Sequence, residues 1–98
     1  MESARLREVI ARIRQLDVVN GFSAFMGLVA TLPDPRIELT NIGFQILFST
    51  GHTLEVYEYR DTLFCAFGEA RTPKNYAIRN QRVAGEMFHE VLGELLGS

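Results

Sequence analysis

Two histidines, one cysteine and one Glu-x-x-His spacing are the features of this chain whose residue types could do chemistry. Glu86-Met87-Phe88-His89 sets a carboxylate and an imidazole three residues apart, on one side of a helix. Two such motifs, joined by two further glutamates on four helices, hold a di-iron centre. A single motif falls short of that set, so a solvated helix flank is the expectation, with no metal and no cofactor assigned. His52 falls in an expected turn and His89 near the end of the last helix. Neither has a sequence neighbour that would orient it as a general base. Cys65 could be a nucleophile with a distant histidine, but strand alternation aims it into the core, where a thiol behaves as a small apolar group. No catalytic residue is assigned, and a non-enzymatic role is favoured.

Two other features could hold a charge or an anion. Glu58 has the strand parity of the core face, which calls for either an arginine partner or an escape to solvent at the sheet margin. Arg71, Lys74, Arg79 and Arg82 form a run without acids. Thr72 and Pro73 read as the N-cap and first residue of a helix, so Arg71, Thr72, Lys74 and Arg79 would set cations beside free amides, a candidate anion site. The same run is the one place where nucleic acid could be touched, and the overall charge of −2 weighs against it.

The elements that position these residues follow from spacing. Leu6, Val9, Ile10, Ile13 and Leu16 mark an amphipathic helix over about residues 3–18. Phe22, Phe25, Met26, Val29 and Leu32 suggest a second, short helix, apolar all round and closed by Pro33-Asp34-Pro35. Ile42, Phe44, Ile46 and Phe48 alternate as a half-buried strand, as do Leu54 with Val56, and Leu63 with Cys65 and Phe67. Residues 37–40 either extend the first strand or precede it. Tyr59-Arg60-Asp61-Thr62 reads as a two-residue hairpin, which sets Tyr57 opposite Phe64, Val56 opposite Cys65 and Leu54 opposite Phe67. The preceding hairpin needs an odd loop around Gly51, with Phe48 opposite Leu54 and Ile46 opposite Val56 as the expected pairs. A long helix from Thr72 to about Gly97 carries Ala77, Ala84, Met87, Phe88, Val91, Leu92 and Leu95 inward, with Arg82 and Glu86 supporting each other outside.

The expected fold is a two-layer α+β domain over residues 1–98. A three-stranded antiparallel meander packs against an N-terminal helix and a long C-terminal helix, in the order α-α-β-β-β-α. The composition, 47% hydrophobic and 22% charged, is that of a globular chain and excludes disorder. One cysteine excludes an internal disulfide and paired-thiol metal sites. The opening Met1-Glu2-Ser3-Ala4-Arg5 leads into a charged helix rather than an apolar leader, and the uncharged stretch between Asp17 and Asp34 is shorter than the ~20 apolar residues of a membrane span. A cytoplasmic protein with no membrane role is therefore expected.

A chain of this size buries roughly 60–70% of its unfolded surface, enough to cover one face of a sheet but not two. The strand register puts Gln45, Leu47, Glu55, Tyr57, Tyr59, Phe64 and Ala66 on the second face, which is far more aromatic than a solvated face should be. Three ways of closing it present themselves. The short helix or a terminal segment could fold over it, a second copy could cover it, or a ligand or foreign protein could bind there. Self-association is favoured, which makes the chain a homodimeric interaction module using Gln45, Leu47, Glu55, Tyr57, Tyr59 and Phe64, or else the apolar helix from Phe22 to Leu32. The alternative is a small-ligand or anion-binding domain whose pocket lies between the tyrosine face and a covering helix.

Overall fold

Leu6, Val9, Ile10 and Ile13 fall three and four residues apart, and all four are buried along one side of the first helix, α1 (Ser3–Arg14). The computed structural model describes residues 3–15, 22–68, 74–77 and 81–97. A second helix, α2 (Phe22–Val29), follows, and then five strands: β1 (Arg36–Leu39), β2 (Gly43–Leu47), β3 (Thr53–Tyr59), β4 (Thr62–Gly68) and β5 (Lys74–Ala77). The last helix is α3 (Gln81–Leu96). All neighbouring strands are antiparallel and the spatial order is β1-β2-β3-β4-β5, an unbroken meander.

The α+β fold and the flanking helices match the sequence reading, but among the described residues the sheet has five strands where three were expected. Residues 36–39 form a separate strand rather than an extension of β2, joined to it by a tight turn in which Thr40 N–H donates to Gly43 O at 2.9 Å. The larger correction lies at the other edge. Lys74–Ala77 belongs to a strand that pairs along β4, with Phe64 opposite Ala77 and Cys65 opposite Tyr76. The last helix therefore starts at Gln81, not Thr72, and Ala77 is not part of its apolar stripe. The open edge of β4 would leave a row of backbone groups unpaired, and pairing them outweighs the helix-start signal of a threonine before a proline.

Register is where the sequence pattern was most informative. Tyr57 faces Phe64, Val56 faces Cys65 and Leu54 faces Phe67, as the two-residue hairpin requires. Arg60 and Asp61 have φ of 51° and 59°, the left-handed pair of a type I′ turn, a conformation usually filled by Asn-Gly. The β2–β3 loop is odd, as expected. It comprises Ser49, Thr50 and a left-handed Gly51 (φ 89°), with Phe48 N–H donating to His52 O. The pairing differs from expectation by two residues: Ile46 faces Leu54 and Phe44 faces Val56. A shift of two preserves the face of every side chain, so the shorter three-residue loop is reached with no change in what is buried.

One core results. Phe44, Ile46 and Phe48 from β2, Leu54 and Val56 from β3, and Leu63, Cys65 and Phe67 from β4 meet the stripe of α1. They also meet Met26 and Val29 of α2, and Ala84, Met87, Phe88 and Val91 of α3. Phe44 and Phe88 stack with centroids 5.9 Å apart, fixing α3 over β2. The short helix is not buried on all sides: Met26 and Val29 are enclosed while Leu28 faces solvent. Its described buried residues join the core, so among the described residues this helix gives no cover to the tyrosine face.

Charged side chains lash the helices together. Arg5 pairs with Glu94 and, at 2.8 Å, with Glu8; Arg12 pairs with Glu90 at 2.7 Å. Arg5 and Arg12 thus reach across to α3 rather than simply facing water. Arg7 donates to the carbonyls of Ala30 and Leu32, satisfying the end of α2. The expected Arg82–Glu86 pair is present at 3.9 Å on the outer side of α3. Glu90 is held below the usual carboxylate range by its hydrogen bond to Arg12.

Two substitutions test this backbone account. A Cβ on Gly43 would run into the carbonyl oxygen of Val56 and lie 2.9 Å from Tyr57 Cα, both backbone atoms with nowhere to move. Gly43→Ala should therefore lower unfolding free energy by about 2–3 kcal/mol in urea titration, the cost of overpacking. An unchanged midpoint would show that β2 and β3 are further apart. Asp61→Gly should act oppositely, raising stability by about 0.5–1 kcal/mol through relief of the left-handed strain. A lower midpoint would mean that the loop is not type I′.

Candidate functional site

Cross-strand pairing arranges the sheet face away from the helices into rows. Glu38, Gln45, Glu55, Ala66 and Asn75 lie along one row, and Tyr57 and Phe64, flanked by Gly43 and Ala77, along the next. Arg36, Leu47, Thr53 and Gly68 form a third. The expected surface residues Gln45, Leu47, Glu55, Tyr57, Tyr59 and Phe64 do share this face. Gln45, Leu47, Glu55, Tyr57 and Phe64 are half-buried by their neighbours in the sheet, and Tyr59 is exposed at the hairpin end. Tyr57 and Phe64 stack with centroids 5.6 Å apart and ring planes 20° from parallel. Partial burial, with Glu55 adding a smaller push, raises the Tyr57 phenol above its ordinary value. Arg60 places its guanidinium 5.2 Å from the centre of the Tyr59 ring.

The buried residues of all three described helices belong to the core on the other side of the sheet. A pocket between the tyrosine face and a covering helix, as the ligand-binding alternative required, is therefore not formed by the described residues. The hollows lie elsewhere. One of about 290 Å³ separates α1 from α3 beside Arg12 and Glu90. A larger groove of about 500 Å³ opens between the end of α3 and the β1–β2 turn. Leu39, Ile42, Phe88, Leu92 and Leu96 supply its apolar wall, and Glu58 and His89 its charged and polar groups.

Sequence reasoning did not find this groove. Leu39 and Ile42 have the parity of the core face, which reads as burial, yet they lie beyond the cover of the helices and remain 47% and 48% exposed. Glu58 pairs with Leu63 as expected and takes the solvent alternative.

The anion candidate loses its structural basis where it is described. Lys74 lies in β5, so the helix N-terminus that would have gathered the cations is not at Thr72. Arg71, Thr72 and Arg79 lie outside the described residues. Glu86 and His89 line different hollows, so their i,i+3 spacing brings no shared ligand position. No group of three metal-ligating side chains is gathered among the described residues. His52 is held by Thr50, whose Oγ1 lies 2.7 Å from Nδ1, and it stacks on Phe67.

Cys65 points inward as expected. It is fully enclosed, and burial pushes its thiol up to about 12. No described charged side chain is buried in the core. No described helix is long and apolar enough to cross a membrane.

Comparison with known proteins identifies no relative: no family model matches the chain, and no curated protein or solved structure is significantly similar to it. The class that the fold defines is a two-layer α+β protein with helices on one face of an antiparallel meander.

The thiol provides a direct check on the core. At pH 8 Cys65 should react with a disulfide reagent no faster than the protein unfolds, with labelling accelerating by orders of magnitude through the urea transition. Rapid labelling of the native protein would place Cys65 on the open face and reverse the assigned register.

Proposed function

We propose that this protein is a non-enzymatic interaction module that self-associates through the sheet face carrying Leu47, Tyr57 and Phe64. The observation that supports this reading is the one-sided placement of the helices. All the core residues of α1, α2 and α3 meet the face of Phe44, Val56 and Phe67, and an aromatic, largely uncharged face is left opposite.

A second copy suits that face on three grounds. Its apolar groups, Tyr57, Phe64, Leu47 and Ala66, surround one carboxylate, Glu55, on the central strand, and a two-fold axis set over the Tyr57–Phe64 pair rather than over Glu55 brings two identical patches together without placing like charges opposite each other. Its β1 margin holds both signs, Arg36 beside Glu38, which can pair across a two-fold axis. Tyrosine supplies rigid apolar area with a polar tip, as interfaces favour. Magnitude then sets the kind of association. Five strands about 4.8 Å apart, with roughly five residues each at about 3.3 Å, give a footprint of roughly 400 Å² per copy. Two such faces fall below the ~1,600 Å² of a standard interface, so the dimer is weak and reversible.

Sedimentation equilibrium over a hundredfold concentration range tests this reading. The mass should rise from 11.1 kDa toward twice that value. Phe64→Asp should hold it at the monomer value while leaving the helical circular dichroism unchanged. A wild-type mass of 11.1 kDa at every concentration, or a dimer indifferent to Phe64→Asp, would overturn the proposal.

A further inference from the structure

We infer that the groove at the end of α3 is a binding site for a small amphiphile with an apolar body and a cationic head. It is distinct from the tyrosine face and independent of self-association. Three large apolar side chains that remain exposed, Leu39 (47%), Ile42 (48%) and Leu96 (73%), converge on this one hollow. They come from β1, the β1–β2 turn and the last turn of α3, which share no periodicity. Their meeting is a property of the fold. Phe88 and Leu92 close the floor. A hollow of about 500 Å³, mostly apolar with a few polar groups, lies within the range of small-molecule sites.

The charge of the head follows from what surrounds the groove. Glu58 lies on its wall and makes no ion pair among the described residues, whereas Glu8, Glu86, Glu90 and Glu94 are all paired with arginines. The groove also opens at the C-terminus of α3, where the final carbonyls carry partial negative charge and no basic residue occupies the last turn. Among the described residues neither lysine nor arginine lines the hollow, and His89 is the one lining side chain that can carry positive charge. An anion would face the carboxylate and the negative helix end together. An ammonium group is attracted by both, while its alkyl or aryl body covers Ile42 and Leu96.

The test uses three probes of equal chain length, octylammonium, 1-octanol and octanoate, each below micelle formation at pH 8. Binding is read from the methyl resonances of Leu39, Ile42, Leu92 and Leu96. The expected result is saturable shifts confined to these methyls, with affinity in the order octylammonium, octanol, octanoate. Glu58→Gln should weaken octylammonium about three- to fivefold, as expected for an exposed ion pair, and leave octanol unchanged. Ile42→Ser, at a half-exposed position, should weaken all three. Equal affinity for octanoate and octylammonium would overturn the inference. So would an unaffected Glu58→Gln variant, shifts centred on Leu47 and Phe64, or no saturable shift. A change of sedimenting mass in Leu96→Asp would also overturn it, because the groove would then be a subunit contact.

Discussion

A sheet has two faces, and this chain has apolar helical surface enough for one. Every other feature depends on that inequality. The stripe of α1, the two buried residues of α2 and the inner side of α3 are all spent on the face of Phe44, Ile46, Leu54, Val56, Cys65 and Phe67. Closing one core with three helices leaves the Tyr57–Phe64 side with no described helix on it. Hydrophobic burial is roughly proportional to area removed from water, so a half-covered aromatic face retains a driving force for further association.

The same shortage of cover produces the groove at the end of α3. Leu39 and Ile42 have the inward parity of their strands, but the helices do not extend over the β1–β2 turn. Ion pairs join α1 to α3 beside that limit of cover. Arg5 with Glu94 and Arg12 with Glu90 hold the two helices antiparallel, with the end of α3 at about the level of the start of α1. The Arg12–Glu90 pair is exposed and the Arg5–Glu94 pair only part-buried, so each contributes little stability by itself. Their role is in setting register between helices whose packing is otherwise an apolar stripe against an apolar stripe.

Much of this was legible in the sequence because period-two alternation is a strong constraint. Once Arg60 and Asp61 are taken as a two-residue turn, the pairing of β3 with β4 has no freedom left, and the faces of Tyr57, Phe64 and Cys65 follow. The β2–β3 pairing was recovered only to within two residues. Patterning distinguishes odd from even loops but not three residues from five, since both bury the same side chains. β5 was missed for a different reason. Lys74-Asn75-Tyr76-Ala77 has no apolar alternation, and its conformation is set by the open edge of β4, a tertiary partner that a local reading does not contain. The groove was missed because parity reports which face a side chain takes, not whether anything lies over it.

Solvent paramagnetic relaxation, measured with an inert gadolinium chelate on both faces of the sheet, tests the one-sided closure most directly. Phe44, Leu54 and Val56 should be protected at every protein concentration. Leu47, Tyr57 and Phe64 should be relaxed strongly in dilute solution and become protected as concentration rises. Protection of Tyr57 and Phe64 at the lowest concentration would mean that the chain closes this face itself, and strong relaxation at all concentrations would mean that no second copy covers it.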